Sequence, residues 1–168
     1  MESVQILHLY VSPGHNYFGR HGVAADQHPI LERTEIRCIA GRGIEDDRFY
    51  DYKPDYKGQI TFFAEEVYRS LGEELNVRGI PPSVFRRNVI TRGLDLNSLL
   101  GLEFTMQGVR FLGTSECKPC YWMNSAFHPD AEARLQGRGG LRAKILTSGV
   151  LRAATSHAEV HPSEEVRR

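Results

Sequence analysis

Several classes of protein are excluded by what this 168-residue sequence holds in short supply. It carries only three cysteines, an odd number that cannot all pair within the chain, which argues against a small disulfide-stapled scaffold. It has no excess of either charge, with 21 Lys and Arg against 21 Asp and Glu, so it is not built to coat nucleic acid or an anionic membrane. No apolar run approaches the roughly 20 residues of a membrane span. The opening residues, M-E-S-V-Q-I-L-H, lack the basic and apolar regions of a signal peptide, so reducing cytosol is the expected compartment. No internal repeat or low-complexity stretch stands out. What remains is a soluble chain of one-domain length, long enough to bury its own core.

Hydrophobic patterning supplies the elements. Strands are expected over Val4 to Val11, Glu32 to Ile39, Gln59 to Phe63 and Val89 to Thr91, and at Phe104 to Met106 and Val109 to Leu112 around a Gln107-Gly108 turn. A last strand or two should lie within Leu141 to Leu151. Between the first two strands, His15 to Pro29 reads as a long loop. The spacing of Val67, Tyr68, Leu71 and Leu75 predicts a helix over Ala64 to Val77, ended before Pro81-Pro82. Asp95 to Leu100 should make one capped turn, and Pro129 to Gln136 a short helix stopped by Gly137. About seven or eight short strands with roughly two or three helices do not alternate regularly, which predicts a mainly β (α+β) fold: a mixed or antiparallel β-barrel with peripheral helices. The domain is expected to fill residues 1–155, with 156–168 a polar, frayed C-terminal tail.

The chemistry concentrates at Arg110 to Asn124, R-F-L-G-T-S-E-C-K-P-C-Y-W-M-N, where Cys117 and Cys120 follow a strand end and Pro119 stiffens the backbone between them. A structural zinc site needs about four ligands, and no second Cys or His pair stands near; His157 and His161 have ligand spacing but lie in the C-terminal region. A thioredoxin-like motif would open a helix early in a βαβ unit, which this pair does not. Two readings stay open: both cysteines are small buried apolar residues, or one is a reactive or ligating thiolate, favoured by Lys118 and the downstream Arg134, Arg138, Arg142 and Lys144.

Arginines frame two further stretches. F-R-R-N-V-I-T-R-G over Phe85 to Gly93 sets a strand among three arginines, whose forks suit phosphate and carboxylate oxygens. G-R-G-G-L-R, from Gly137 to Arg142, joins two arginines to glycines whose amides could converge on an anion. The acidic cluster Ile44 to Phe49 reads by itself as a solvated turn.

Taken together, G-I-E-D-D-R at Gly43 to Arg48, R-R-N-V-I-T-R-G at Arg86 to Gly93, C-K-P-C at Cys117 to Cys120 and G-R-G-G-L-R-A at Gly137 to Ala143 resemble, in order and spacing, the MOSC domain, named for the C-terminal domain of molybdenum-cofactor sulfurases. The resemblance spans nearly the whole chain and implies a β-barrel that binds the molybdenum cofactor (molybdopterin) or carries activated sulfur. The family's characteristic cysteine falls on Cys120, implied as metal ligand and catalytic thiolate, and its asparagine on Asn88. The arginines Arg48, Arg87, Arg138 and Arg142 and the amides of Gly139 and Gly140 would suit phosphate and pterin. Thr114 and Ser115 could add donors to a pterin edge, or simply cap a strand end. If the chain is an enzyme, some relatives imply reduction of N-hydroxylated compounds, with electrons from a separate partner because no flavin or iron–sulfur motif is present. The alternatives are a sulfur carrier holding a Cys120 persulfide, passed between donor and acceptor proteins, and a non-catalytic binding module. The sequence departs from many relatives at Asp46, where they have glycine, which leaves the aim of Arg48 open. Sulfurases also carry an upstream pyridoxal-phosphate domain, for which 168 residues are not expected to leave room, so pyridoxal phosphate binding belongs to the family only.

Overall fold

A computed structural model describes residues 2–16 and 27–161. Among them the strands run, in chain order, β1 (Glu2–Val11), β2 (Leu31–Arg33), β3 (Glu35–Ile39), β4 (Gly43–Ile44), β5 (Ile60–Ala64), β6 (Val89–Arg92), β7 (Glu103–Met106), β8 (Val109–Glu116), β9 (Leu141–Ile145), β10 (Gly149–Arg152) and β11 (Thr155–His161). The helices are α1 (Glu65–Leu75), α2 (Trp122–Ala126) and α3 (Ala131–Arg134). Seven strands close a mixed barrel in the order β1, β11, β7, β8, β9, β5, β6 and back to β1. Only β5 and β6 pair in parallel, with α1 between them in sequence. Closure leaves the barrel itself without an unpaired edge. The expected mainly β barrel with peripheral helices is the architecture found.

The ten-residue β1 makes this closure possible. Its first half pairs with β11 and its middle with β6 across a bulge between Ile6 and His8; its last three residues pair with β2. A smaller sheet of β10, β3 and β4 stands apart. The single strand expected over 32–39 is therefore two. Thr34 breaks it, because 31–33 pair with β1 whereas 35–39 pair with β10.

Two apolar layers explain why β5 shows no polar alternation. Phe62 points into the barrel, where it meets Phe104 and Phe111 in edge contacts with centroids 5.7 and 5.5 Å apart. Its neighbour Phe63 points outward into a second cluster with Leu71, Phe85, Met123 and Phe127. The expected stripe of α1, Val67, Tyr68, Leu71 and Leu75, packs on that outer cluster. Asn76 ends the helix in the left-handed region at φ 52°. Asp95 caps the 3-10 turn Leu96–Leu99 by accepting from the Asn97 amide at 3.1 Å. Gln107 and Gly108 make the β7–β8 turn with positive φ at both positions.

The C-terminal segment corrects the sequence reading. Instead of a frayed polar tail from 156, Thr155–His161 is β11, the strand that seals the barrel between β1 and β7. Its exposed side chains are mostly polar while Ala158 turns inward at 1% exposure, so one small residue is all the core signal it carries. Only 162–168 of that expected tail lie outside the described residues, as do 17–26 of the expected long loop. No helix among the described residues is long and apolar enough to cross a membrane.

Asn88 ties three segments together. Its Oδ1 accepts from the Thr61 amide (3.0 Å) and hydroxyl (3.1 Å), its amide donates to Thr61 Oγ1 (3.0 Å), and Nδ2 donates to the Tyr10 carbonyl (3.1 Å). Both Asn88 and Thr61 are buried. Asn88→Ala strands a buried amide and a buried carbonyl, at about 1–3 kcal/mol for each group left unpaired. At about 2–4 °C per kcal/mol for a chain of this size, thermal unfolding should shift down by roughly 4–24 °C. A shift within about 2 °C would show that water replaces both bonds.

Candidate functional site

The cavity that gathers most of the chemistry-bearing side chains lies against the outer face of the barrel wall. Thr61 on β5 and Arg142 on β9 are register partners, and they face away from the interior occupied by Phe62, Leu141 and Ala143. Around this floor stand His15 and Asn16 from the segment after β1, Arg48 and Phe49 after β4, Tyr56 and Gly58 before β5, Phe85 to Arg87 before β6, and Cys117, Lys118, Cys120 and Met123 after β8. They enclose about 210 Å³.

Charge in the lining is one-sided. Arg48, Arg86, Arg87, Lys118 and Arg142 contribute five cations, and no Asp or Glu is among the lining residues. Asp47, next to Arg48 in sequence, is buried and already engaged: its carboxylate accepts from the Ser12 amide (3.0 Å), the Phe49 amide (3.2 Å) and Arg48 (3.4 Å). Burial pushes the Arg48 pKa down, Asp47 partly offsets this, and Arg87 adds repulsion in the same direction as burial. A positively lined, partly buried site of this kind favours an anion.

The cations are not equally available. Arg87 clips the walls together, donating to the carbonyls of Phe85 (2.9 Å), Gly139 (3.2 Å) and Cys117 (3.2 Å). Arg86, at φ 57° in the left-handed region, donates to Ser12 Oγ and the Gly14 carbonyl, both at 2.8 Å. Arg48 donates to the Arg86 carbonyl (3.2 Å) and lies over the Phe49 ring at 4.7 Å. By contrast, the guanidinium of Arg142 and the ammonium of Lys118 make no hydrogen bond or ion pair among the described residues. Arg142 and Tyr56 approach each other across Gly58, whose missing Cβ would lie 3.3 and 3.1 Å from them. Burial raises the Tyr56 phenol pKa and Arg142 opposes the rise, so the phenol stays a neutral donor at neutral pH.

Cys120 is half-buried and Cys117 almost fully buried, and both line the cavity. Cys38 lies in the core, where burial pushes its thiol up to about 12. Among the described residues, no three His, Cys, Asp or Glu side chains cluster as a protein-only metal site. His161, one of the pair with ligand spacing, instead hydrogen-bonds the Thr105 hydroxyl at 2.7 Å.

Of the residues expected at a site, Arg48, Arg87, Cys120 and Arg142 share this cavity. The others do not line it. Asn88 is the buried tie described above. Thr114 Oγ1 lies within donating distance of the carbonyls of Lys57 (2.6 Å) and Arg142 (3.0 Å), while the buried Ser115 hydroxyl has no partner among the described residues. Arg138 pairs with Glu74 (2.8 Å) and donates to the Arg134 carbonyl (2.8 Å), beside a separate cleft that Gly140 also lines. The Gly139 amide donates to the Glu116 carboxylate at 3.3 Å. A Cβ on Gly139 would lie 2.3 Å from the Cys117 carbonyl oxygen, and one on Gly140 (φ 109°) 2.3 Å from that of Phe62. These glycines let the backbone pack between the cysteine segment and β5.

The sequence reading passed over His15, Phe49 and Tyr56, and took Arg86 only as one of the arginines framing β6. Phe49 stacks on Tyr56 (5.5 Å, 24°), and His15 meets Phe49 edge-on (5.0 Å, 82°), so these rings form one wall. The signal present was the aromatic spacing of Phe49, Tyr52 and Tyr56, the i, i+3, i+7 pattern of one helical face, in a stretch broken by Pro54 that forms turns and no helix. Asp46 takes φ 70°, the left-handed region that glycine enters freely and Asp tolerates. The Asp-for-Gly departure is thus absorbed locally, and Arg48 still reaches the cavity.

Comparison with solved structures gives the same fold at low identity. The YUAD protein from Bacillus subtilis is 18% identical over 97% of this chain and 100% of its own, with a TM-score of 0.73. YiiM from Geobacillus stearothermophilus is 15% identical over 95% of this chain and 75% of its own (TM-score 0.64). YiiM from Escherichia coli is 18% identical over 97% and 71% (TM-score 0.63). No curated protein matches the chain. The family model for the MOSC domain matches residues 47–166, a span that takes in the cavity from Arg48 to Arg142 and runs past β11. The chain belongs to the MOSC domain family.

Proposed function

We propose that this MOSC domain protein binds the molybdenum cofactor, with the phosphate and pterin among the cavity's cations and Cys120 as the thiolate that ligates the metal. The observation that carries this reading is the single lining of five cations, no carboxylate and a half-buried thiol in a chain of zero net charge. A soft thiolate suits a transition metal, and guanidinium forks suit phosphate oxygens. Arg142 and Lys118 are the donors left for such a ligand, whereas Arg86 and Arg87 chiefly hold the walls.

The cofactor would supply two-electron reduction, and the substrate class is an N-hydroxylated compound. Electrons come from a separate protein, because the sequence has no flavin or iron–sulfur motif. The chain's own part is to fix the anion, to present Cys120 from the stiff C-K-P-C segment, and to shield one side of the ligand with the Phe49–Tyr56 wall. A second reading, a sulfur carrier with a Cys120 persulfide, draws on the same half-buried thiol. Metal and pterin analysis of protein from a cofactor-competent host separates the two, since a carrier would hold cyanide-labile sulfur and no molybdenum.

Arg142→Ala should weaken binding of molybdopterin or a phosphate mimic by about ten- to a hundred-fold, the equivalent of one charge-assisted hydrogen bond of roughly 1.5–3 kcal/mol. Its melting temperature should hold, since the Arg142 guanidinium bonds nothing else among the described residues.

Cys120→Ser should leave phosphate affinity nearly unchanged while abolishing retention of molybdenum. Equal loss of both properties in both variants, at unchanged stability, would refute this division of roles.

A further inference from the structure

His15 stands in the cavity wall without a hydrogen-bond partner for its ring nitrogens among the described residues. Its ring is held by packing alone, edge-on to Phe49 at 5.0 Å and tilted against Tyr52 at 5.5 Å. Unlike a guanidinium, an imidazole ordinarily changes its charge near neutral pH, so it can answer an incoming anion by taking up a proton. We propose that His15 is a proton-gated ligand contact: it is neutral until an oxyanion enters the cavity, takes up a proton as the anion binds, and then serves as a further cation of the wall. The inference rests on the anionic-ligand reading above and adds the residue that makes binding proton-linked.

The groups facing His15 decide the direction. Burial disfavours the imidazolium, and Arg48 and Arg86, from the segments after β4 and before β6, repel it, as does His28 from the segment ahead of β2. Asp47 opposes them but is tied to Ser12, Phe49 and Arg48. The balance holds the His15 pKa below its ordinary value. An oxyanion held by the lining cations reverses the local field, and an opposite charge within about 4–6 Å raises a pKa by roughly 1–3 units. The bound state therefore keeps a proton that the unliganded state has lost. By linkage, affinity is highest below the unliganded pKa and falls as pH rises through the interval up to the bound pKa.

Sulfate is the suitable probe, because it stays a dianion across the histidine range and its own titration cannot supply the effect. Its dissociation constant is measured by calorimetry at fixed ionic strength from about pH 5 to about pH 8, bracketing histidine titration. The wild-type chain should lose about tenfold in affinity over that range, for a shift of about one pKa unit. Near the middle of the range, the binding heat should depend on the ionisation enthalpy of the buffer, which reports proton uptake. His15→Gln, which keeps a polar side chain without the charge, should bind at every pH as the wild type does at the alkaline end, with no buffer-dependent heat. His28→Gln should keep the wild-type slope. A slope that survives His15→Gln, or one that His28→Gln removes, overturns the role of His15 and leaves the anionic-ligand reading standing. Failure of sulfate to bind the wild type at any pH overturns both.

Discussion

One guanidinium holds the cavity together. Arg87 donates to carbonyls at Phe85, Cys117 and Gly139, the last two more than twenty residues apart in sequence. The three carbonyl dipoles partly offset the cation, which is how a half-buried charge is held with hydrogen bonds to carbonyls and no ion pair among the described residues. The clip also fixes where Cys120 stands, because the Cys117 amide donates to the Gly140 carbonyl at 2.8 Å while its own carbonyl accepts from Arg87. A side chain on Gly139 or Gly140 would push this backbone off β5 and open the clip. The arginine, the two glycines and the thiol segment are one mechanical unit, although the chain spreads them over more than fifty residues.

Much of the fold was legible because its signals are local. The α1 stripe, the Gln107-Gly108 turn and the Asp95 cap each follow from side chains within a few residues of one another. The strand β11 was not, since one small inward residue among exposed polar ones looks the same in a sheet as in a tail. α2, only five residues long, carries no acidic first turn and no side-chain cap, so it announced itself no better. The small β4 owes its existence to pairing with Cys38 and Ile39, a contact no local pattern reports.

The cavity was half legible for a related reason. Residue type told which side chains could bind an anion, and Arg48, Arg87, Arg142 and Cys120 do share one lining. Type could not tell which cations another part of the chain would claim. Arg138 is claimed by Glu74, a partner 64 residues away, and Arg86 by Ser12 and Gly14. The Gly139-Gly140 pair read as an amide cradle, yet Gly139 spends its amide on Glu116, and both glycines answer a steric demand set by Cys117 and Phe62.

Zero net charge acquires its meaning from that bookkeeping of partners. Several acids elsewhere sit in pairs: Asp51 with Arg42, Asp55 with Lys144, Glu65 with Arg69 and Arg92, Glu74 with Arg138. Exposed pairs of this kind add little stability, since solvent screens them. Their larger effect is to cancel the field at a distance while the cavity keeps five cations against one engaged acid. An approaching anion then feels little steering from the molecule as a whole and strong attraction only once inside, where partly buried charges are screened less by salt. Selection must accordingly act at short range, through the directions of the Arg142 and Lys118 donors and the shape set by the Arg87 clip. That places discrimination in the lifetime of the bound state more than in the rate of encounter.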